Sequence, residues 1–225
     1  MEEEGEGHKG LLRQLTSHLK CLLMGMPSKC RMGNVSIKKM IMISGAAEIY
    51  RRYFVMNMFD GALAALGVIM GMWVSGVVDP KVVVKTVLAA GFAMFFSGFL
   101  GAYLTEKAER ERKIRELEES MFQDMKGSLF EKSSKLAIII VSLVDGISPL
   151  VACIILALPF MLSSALGLSF ALTASIALGL GIATLGALGL FLSRIAKEGF
   201  IGYPLFMILA GLASAIVIVL LGAYV

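Results

Sequence analysis

Three cysteines and two histidines are all that the 225 residues hold of thiol and imidazole ligands. Cys21, Cys30 and Cys153 form neither a paired framework nor a zinc-ligand spacing. Cys153 falls inside an apolar run, where a thiol is an ordinary packing group, and nothing points to an oxidising compartment. His8 and His18 stand ten residues apart and make no metal pair. There is no phosphate-cradling glycine loop, serine elbow, zinc signature or haem motif, so neither an enzyme nor a bound cofactor is expected. The net charge of +4 and pI of about 9.0 come without a basic stripe. Basic and acidic residues are interleaved, which argues against a nucleic-acid partner and makes the positive balance a matter of membrane topology.

What the chain has in excess is apolar surface: 57% hydrophobic residues, 24 glycines and a mean hydropathy of +0.82, beyond the range of soluble domains. The expected fold is all-α, an integral membrane bundle of five transmembrane helices at about 54–76, 82–104, 136–162, 165–192 and 202–225. The segment 105–135 switches to charge, with eight Lys/Arg and eight Asp/Glu, and must leave the bilayer. Its Ile114, Leu117, Met121 and Met125 recur at spacings of three to four, so it reads as a charged cytoplasmic helix extending the second span, with Gly127 and Ser128 ending it. Residues 1–47 read as a cytoplasmic tail. Within it Leu11, Leu12, Leu15, Leu19, Leu22 and Leu23 lie opposite Arg13, His18 and Lys20, as in an amphipathic helix on a membrane surface. The charges of Arg13 and Lys20 interrupt any signal-peptide core. Nineteen of the 21 Lys/Arg fall on one side of the five spans and only Lys81 and Lys85 on the other. That asymmetry places the N-terminus in the cytoplasm and the C-terminus opposite.

Two carboxylates interrupt the spans: Asp60 in the first and Asp145 in the third, each followed by glycine. An acid in a span costs about 2.5–3.5 kcal/mol on insertion scales, so it faces a partner, a water-filled cavity or an ion, unless it snorkels from the helix end. Spans one and three run in the same direction, and both acids lie six to nine residues from the cytoplasmic ends, so they are candidates to converge. With a carbonyl freed by Pro149 they would form a hard oxygen site for a divalent cation or for proton exchange. Met56, Met58, Met70 and Met72 flank Asp60, as soft ligands or as gap-filling packing. On the charged helix Glu106, Glu109, Glu116 and Glu119, with Asp124, fall on one broad arc that could collect metal. The competing reading is a solvated face laced by the i,i+4 pairs Glu106–Arg110, Glu109–Lys113 and Glu111–Arg115.

The ordered set of MFDGALAALGVIMG, the exit SGFLGAYLTEKAERER, a charged helix and a proline-containing third span ending in LALPF resembles the vacuolar iron transporter family over roughly Glu48 to Val225. The resemblance implies a five-span homodimer in the lipid bilayer that moves ferrous iron or manganese out of the cytoplasm in exchange for protons, and it matches Asp60 to the family's first-span aspartate. The second-span glutamate and methionine of that family fall at Ala90 and Gly98, so neither ligand is present. Met94 and Asp145 are the candidate replacements. The cytoplasmic segment is shorter than a full three-helix metal-binding region, so its glutamates are not mapped one to one. The alternative function is a non-transporting membrane scaffold whose charged helix docks a partner.

Overall fold

The computed structural model describes residues 44–197 and 201–224, all within one compact unit, Met40–Val225. The tail and its amphipathic helix therefore lie outside the described residues, save for the tail's last few positions. Five α-helices follow one another: α1 (Ala46–Val74), α2 (Pro80–Met121), α3 (Leu129–Leu166), α4 (Phe170–Ala196) and α5 (Gly202–Tyr224). All five are long and apolar enough to cross a membrane.

Local chemistry accounts for the helix ends. α1 follows Gly45 in the left-handed conformation at φ 64° and carries Glu48 in its first turn, where a negative charge suits the helix dipole. It begins eight residues before the expected span, because Glu48, Arg51 and Arg52 are good helix formers even though they are not apolar. Asp79 caps α2 by accepting from the backbone N–H of Lys81 at 2.9 Å, and Pro80 sits at the first helical position, where no N–H is needed. The capping oxygens of Ser128 and Ser169 accept from the N–H groups of Glu131 and Leu172 and start α3 and α4. Gly167, left-handed at φ 62°, ends α3, so the turn before the fourth span lies at Gly167–Ser169 rather than before Ala165.

The charged segment 105–135 is not a single helix. α2 runs unbroken through Leu104 and Thr105 to Met121, 42 residues and about 63 Å in length, roughly twice the hydrocarbon thickness. Phe122 then turns left-handed at φ 49°, and the last part of the segment, from Leu129, is already α3. The break comes six residues before Gly127 because Glu118 folds the chain back, accepting from the N–H of Met125 at 2.9 Å.

α3 lies at the centre of the bundle, packed against α1, α2 and α4, with α5 against α4 and α1. Phe160, Leu156, Ile69, Val83, Val87 and Leu185 form its fully enclosed apolar centre. Large apolar side chains also face outward in stripes, such as Phe92, Phe96, Leu100 and Leu104 along α2. A bilayer solvates such stripes, and water does not.

Candidate functional site

Close helix approaches through glycine flank the intramembrane acids. A methyl group added at Gly61 would lie 2.5 Å from the Cα of Pro149, so the backbones of α1 and α3 are in contact there. One added at Gly146 would lie 2.8 Å from the carbonyl oxygen of Phe95, joining α3 to α2 in the same way. Cys153 donates its thiol to the Gly61 carbonyl at 3.7 Å and sits against Gly91. Three helices thus meet on glycines, and small residues are what allow backbones this close in a bilayer.

Asp145 is buried inside that junction, 6% exposed. The Nδ2 of Asn57 on α1 donates to its Oδ1 and also to the Tyr53 carbonyl, at 3.0 Å. Gly98 on α2 makes room on the other side: a Cβ there would lie 3.0 Å from Asp145 Oδ2 and 3.3 Å from the Asp145 carbonyl oxygen. Pro149 has no N–H, so that carbonyl, four residues earlier, loses its helical donor. Asp145 therefore presents two oxygens, one anionic and one backbone, at the place where a side chain at Gly98 would stand.

Asp60 is treated differently. It is exposed on the surface of the bundle and makes no hydrogen bond or ion pair among the described residues. Eight residues separate it from Arg52, about 12 Å, so it lies more than two turns from the nearest other charge on its own helix. The contacts Asn57 to Asp145 and Gly61 to Pro149 put α1 and α3 in parallel register. In that register the two acids are staggered by three residues, about 4.5 Å along the axis, with no bond between them. Asn57, one turn before Asp60, is what Asp145 meets. This asparagine was a missed site residue, although a polar amide in the apolar stretch FVMNMFD was the visible signal. Met58 and Met72 pack against the apolar centre, as does Met94, the candidate replacement ligand, whereas Met56 is 51% exposed.

The glutamates of α2 do not form one open arc. Glu106 is enclosed, its side chain 11% exposed, and paired with Arg110 at 3.0 Å. Arg110 is itself buried and donates from Nη1 to the Ser44 carbonyl at 3.2 Å, which ties α2 to the start of α1. Glu109 pairs with Arg112 at 3.1 Å and with Lys113 at 3.4 Å, and Glu116 with Arg112 at 3.7 Å. The expected Glu111–Arg115 pair gives way to Lys107–Glu111 at 3.9 Å. Glu119 is exposed. Among the described residues no three His, Cys, Asp or Glu side chains come together to hold a metal ion.

No family model matches the chain, and no solved structure matches it. An uncharacterized protein of Methanocaldococcus jannaschii is similar to it, 36% identical over 114 residues. The match covers 49% of this chain and 59% of that protein, and it carries no activity with it.

Proposed function

We propose that the chain is a transporter that moves a divalent transition metal, iron or manganese, out of the cytoplasm as a homodimer, with protons moving the other way. The observation that carries this reading is Asp60, a carboxylate on the outer face of the bundle, more than two turns into the first span, with no partner among the described residues. Facing lipid it would be costly, whereas a second copy of α1 brought against it would enclose two such acids around an aqueous, cation-selective route. Asn57 and Asp145 extend the polar surface inward by one turn, and the two oxygens beside Gly98 stand where the resembled family carries its methionine. In this reading the exposed glutamates Glu109, Glu116 and Glu119 gather cations at the cytoplasmic mouth, and Glu106 is structural. In this reading the N-terminus and the α2 extension lie in the cytoplasm, which the distribution of Lys and Arg supports.

A scaffold reading draws on one feature: Phe122, at the tip of α2, is 96% exposed, a ready anchor for a partner. One assay separates the two. Asp60→Asn is nearly isosteric and keeps its hydrogen bonding, but it supplies no charge and does not exchange a proton near neutrality. Purified protein in vesicles with an imposed pH gradient is expected to accumulate iron or manganese, and the variant to lose nearly all flux while it remains folded. Wild-type flux from Asp60→Asn would refute the mechanism, and a wild type without flux would favour the scaffold.

A further inference from the structure

An open cavity of about 670 Å³ lies between the extension of α2 and the first turns of α3. Its walls carry five basic side chains, Lys107, Arg110, Arg115, Lys126 and Lys135, against the three acids Glu111, Glu118 and Glu131. Two further facts set its chemistry. Arg110 is 7% exposed, and its Nη2 is buried without a hydrogen-bond partner among the described residues, so a guanidinium sits behind the wall and adds positive charge to it. The second fact is depth. On α2 the lining passes from Tyr103 to Lys107 and on α3 from Ile138 and Ile139 back to Lys135. Both helices change from apolar to charged at that level, and Leu104 and Ile139 face outward there, 64% and 56% exposed. The inner end of the cavity is therefore at the height of the phospholipid headgroups.

We infer that this cavity binds the phosphate of an anionic phospholipid, with Lys107 and Lys135 at the headgroup, the buried charge of Arg110 behind them, and the acyl chains along Tyr103, Ile138 and Ile139. Basic pockets between spans are the usual seat of such headgroups. Arg115 and Lys126 lie outside this contact. Arg115 follows Tyr103 by twelve residues, about 18 Å, whereas the interfacial layer is only about 5–8 Å deep. The inference does not depend on the transport reading.

The test uses the full chain in phosphatidylcholine vesicles with increasing phosphatidylglycerol, with bound lipid counted by native mass spectrometry and affinity taken from the titration. Wild type is expected to retain phosphatidylglycerol selectively. Lys107→Gln with Lys135→Gln, both exposed residues, is expected to weaken retention about 25-fold, near fivefold for each charge. Arg115→Gln with Lys126→Gln is expected to change it less than twofold. Arg110→Gln is left out because its buried pair with Glu106 makes folding the first casualty. Equal retention of the two lipids by wild type would overturn the inference. So would an unchanged affinity in the Lys107 and Lys135 variant. Displacement of the lipid by millimolar inorganic phosphate, with the larger loss in the Arg115 and Lys126 variant, would instead make this a site for a soluble anion and overturn the lipid assignment.

Discussion

The contact of α1 with α3 at Gly61 makes a sharp test, because the neighbouring atoms are backbone and have nowhere to go. Gly61→Ala places a methyl carbon 2.5 Å from the Cα of Pro149, 2.6 Å from its carbonyl oxygen and 2.9 Å from its carbonyl carbon. Ordinary carbon contacts are about 3.5–4.0 Å, so the two helices must part by about 1 Å. Overpacking of this kind costs about 1–3 kcal/mol. Gly71, ten residues further along the same helix, has nothing within 4 Å of such a methyl. Alanine in place of glycine gains about 0.5–1 kcal/mol of helix propensity at either site, so the difference between the two variants isolates the packing term. At roughly 2–4 °C per kcal/mol for a chain of this size, Gly61→Ala is expected to melt about 2–12 °C below Gly71→Ala. Cys153 supplies the probe: it is fully buried, with its thiol on the Gly61 carbonyl. In a background with Cys21→Ser and Cys30→Ser, a thiol-reactive fluorophore added during a thermal ramp in detergent reports the opening of this junction. Equal melting of the two variants, or Gly61→Ala above Gly71→Ala, would show that the helices are not in contact at Pro149.

Asn57→Ala removes the only side-chain donor to Asp145 among the described residues, and leaving that carboxylate buried and unpaired is expected to destabilise the bundle by about 1–3 kcal/mol in the same thiol assay. Asn57→Ser, which retains a donor, is expected to lose less; equal losses would mean that the hydrogen bond contributes nothing. Asp124 in the turn after α2 accepts from the Lys126 N–H at 2.9 Å, which holds its carboxyl below the usual 3.8. A depressed folded value stabilises the turn above about pH 4, and the effect is lost as pH falls through that value. Hydrogen-exchange protection of the Lys126 amide, corrected for intrinsic rate, is therefore expected to decline below about pH 4 in wild type and to stay flat in Asp124→Asn, and a flat wild-type profile would contradict this. For topology, a reporter inserted at Ser120 and one fused after Val225 are expected on opposite sides of the membrane, and finding both on one side would exclude five spans.

The number of spans was legible from the chain alone because the length of an apolar run is a one-dimensional property: the bilayer asks only for about twenty residues without a break. The turn at Asp79 and Pro80 was legible for a similar reason, since a cap and a proline act on their own neighbours. Asp60 and Asp145 stood out because a charge in such a run is rare. What those acids touch was decided only when helices met. Which residue faces Asp145 depends on the register of α1 against α3, and that register follows from the contact of Gly61 with Pro149, 88 positions apart in the chain. No periodicity carries that information. The same holds for Glu106: helical spacing placed it near Arg110, but only the packing of α2 beside Ser44 buried the pair and took it off the exposed acidic face. Sequence determined which segments enter the membrane and where charge is out of place in it. Tertiary packing decided which charges are enclosed and bonded and which, like Asp60, are left facing outward.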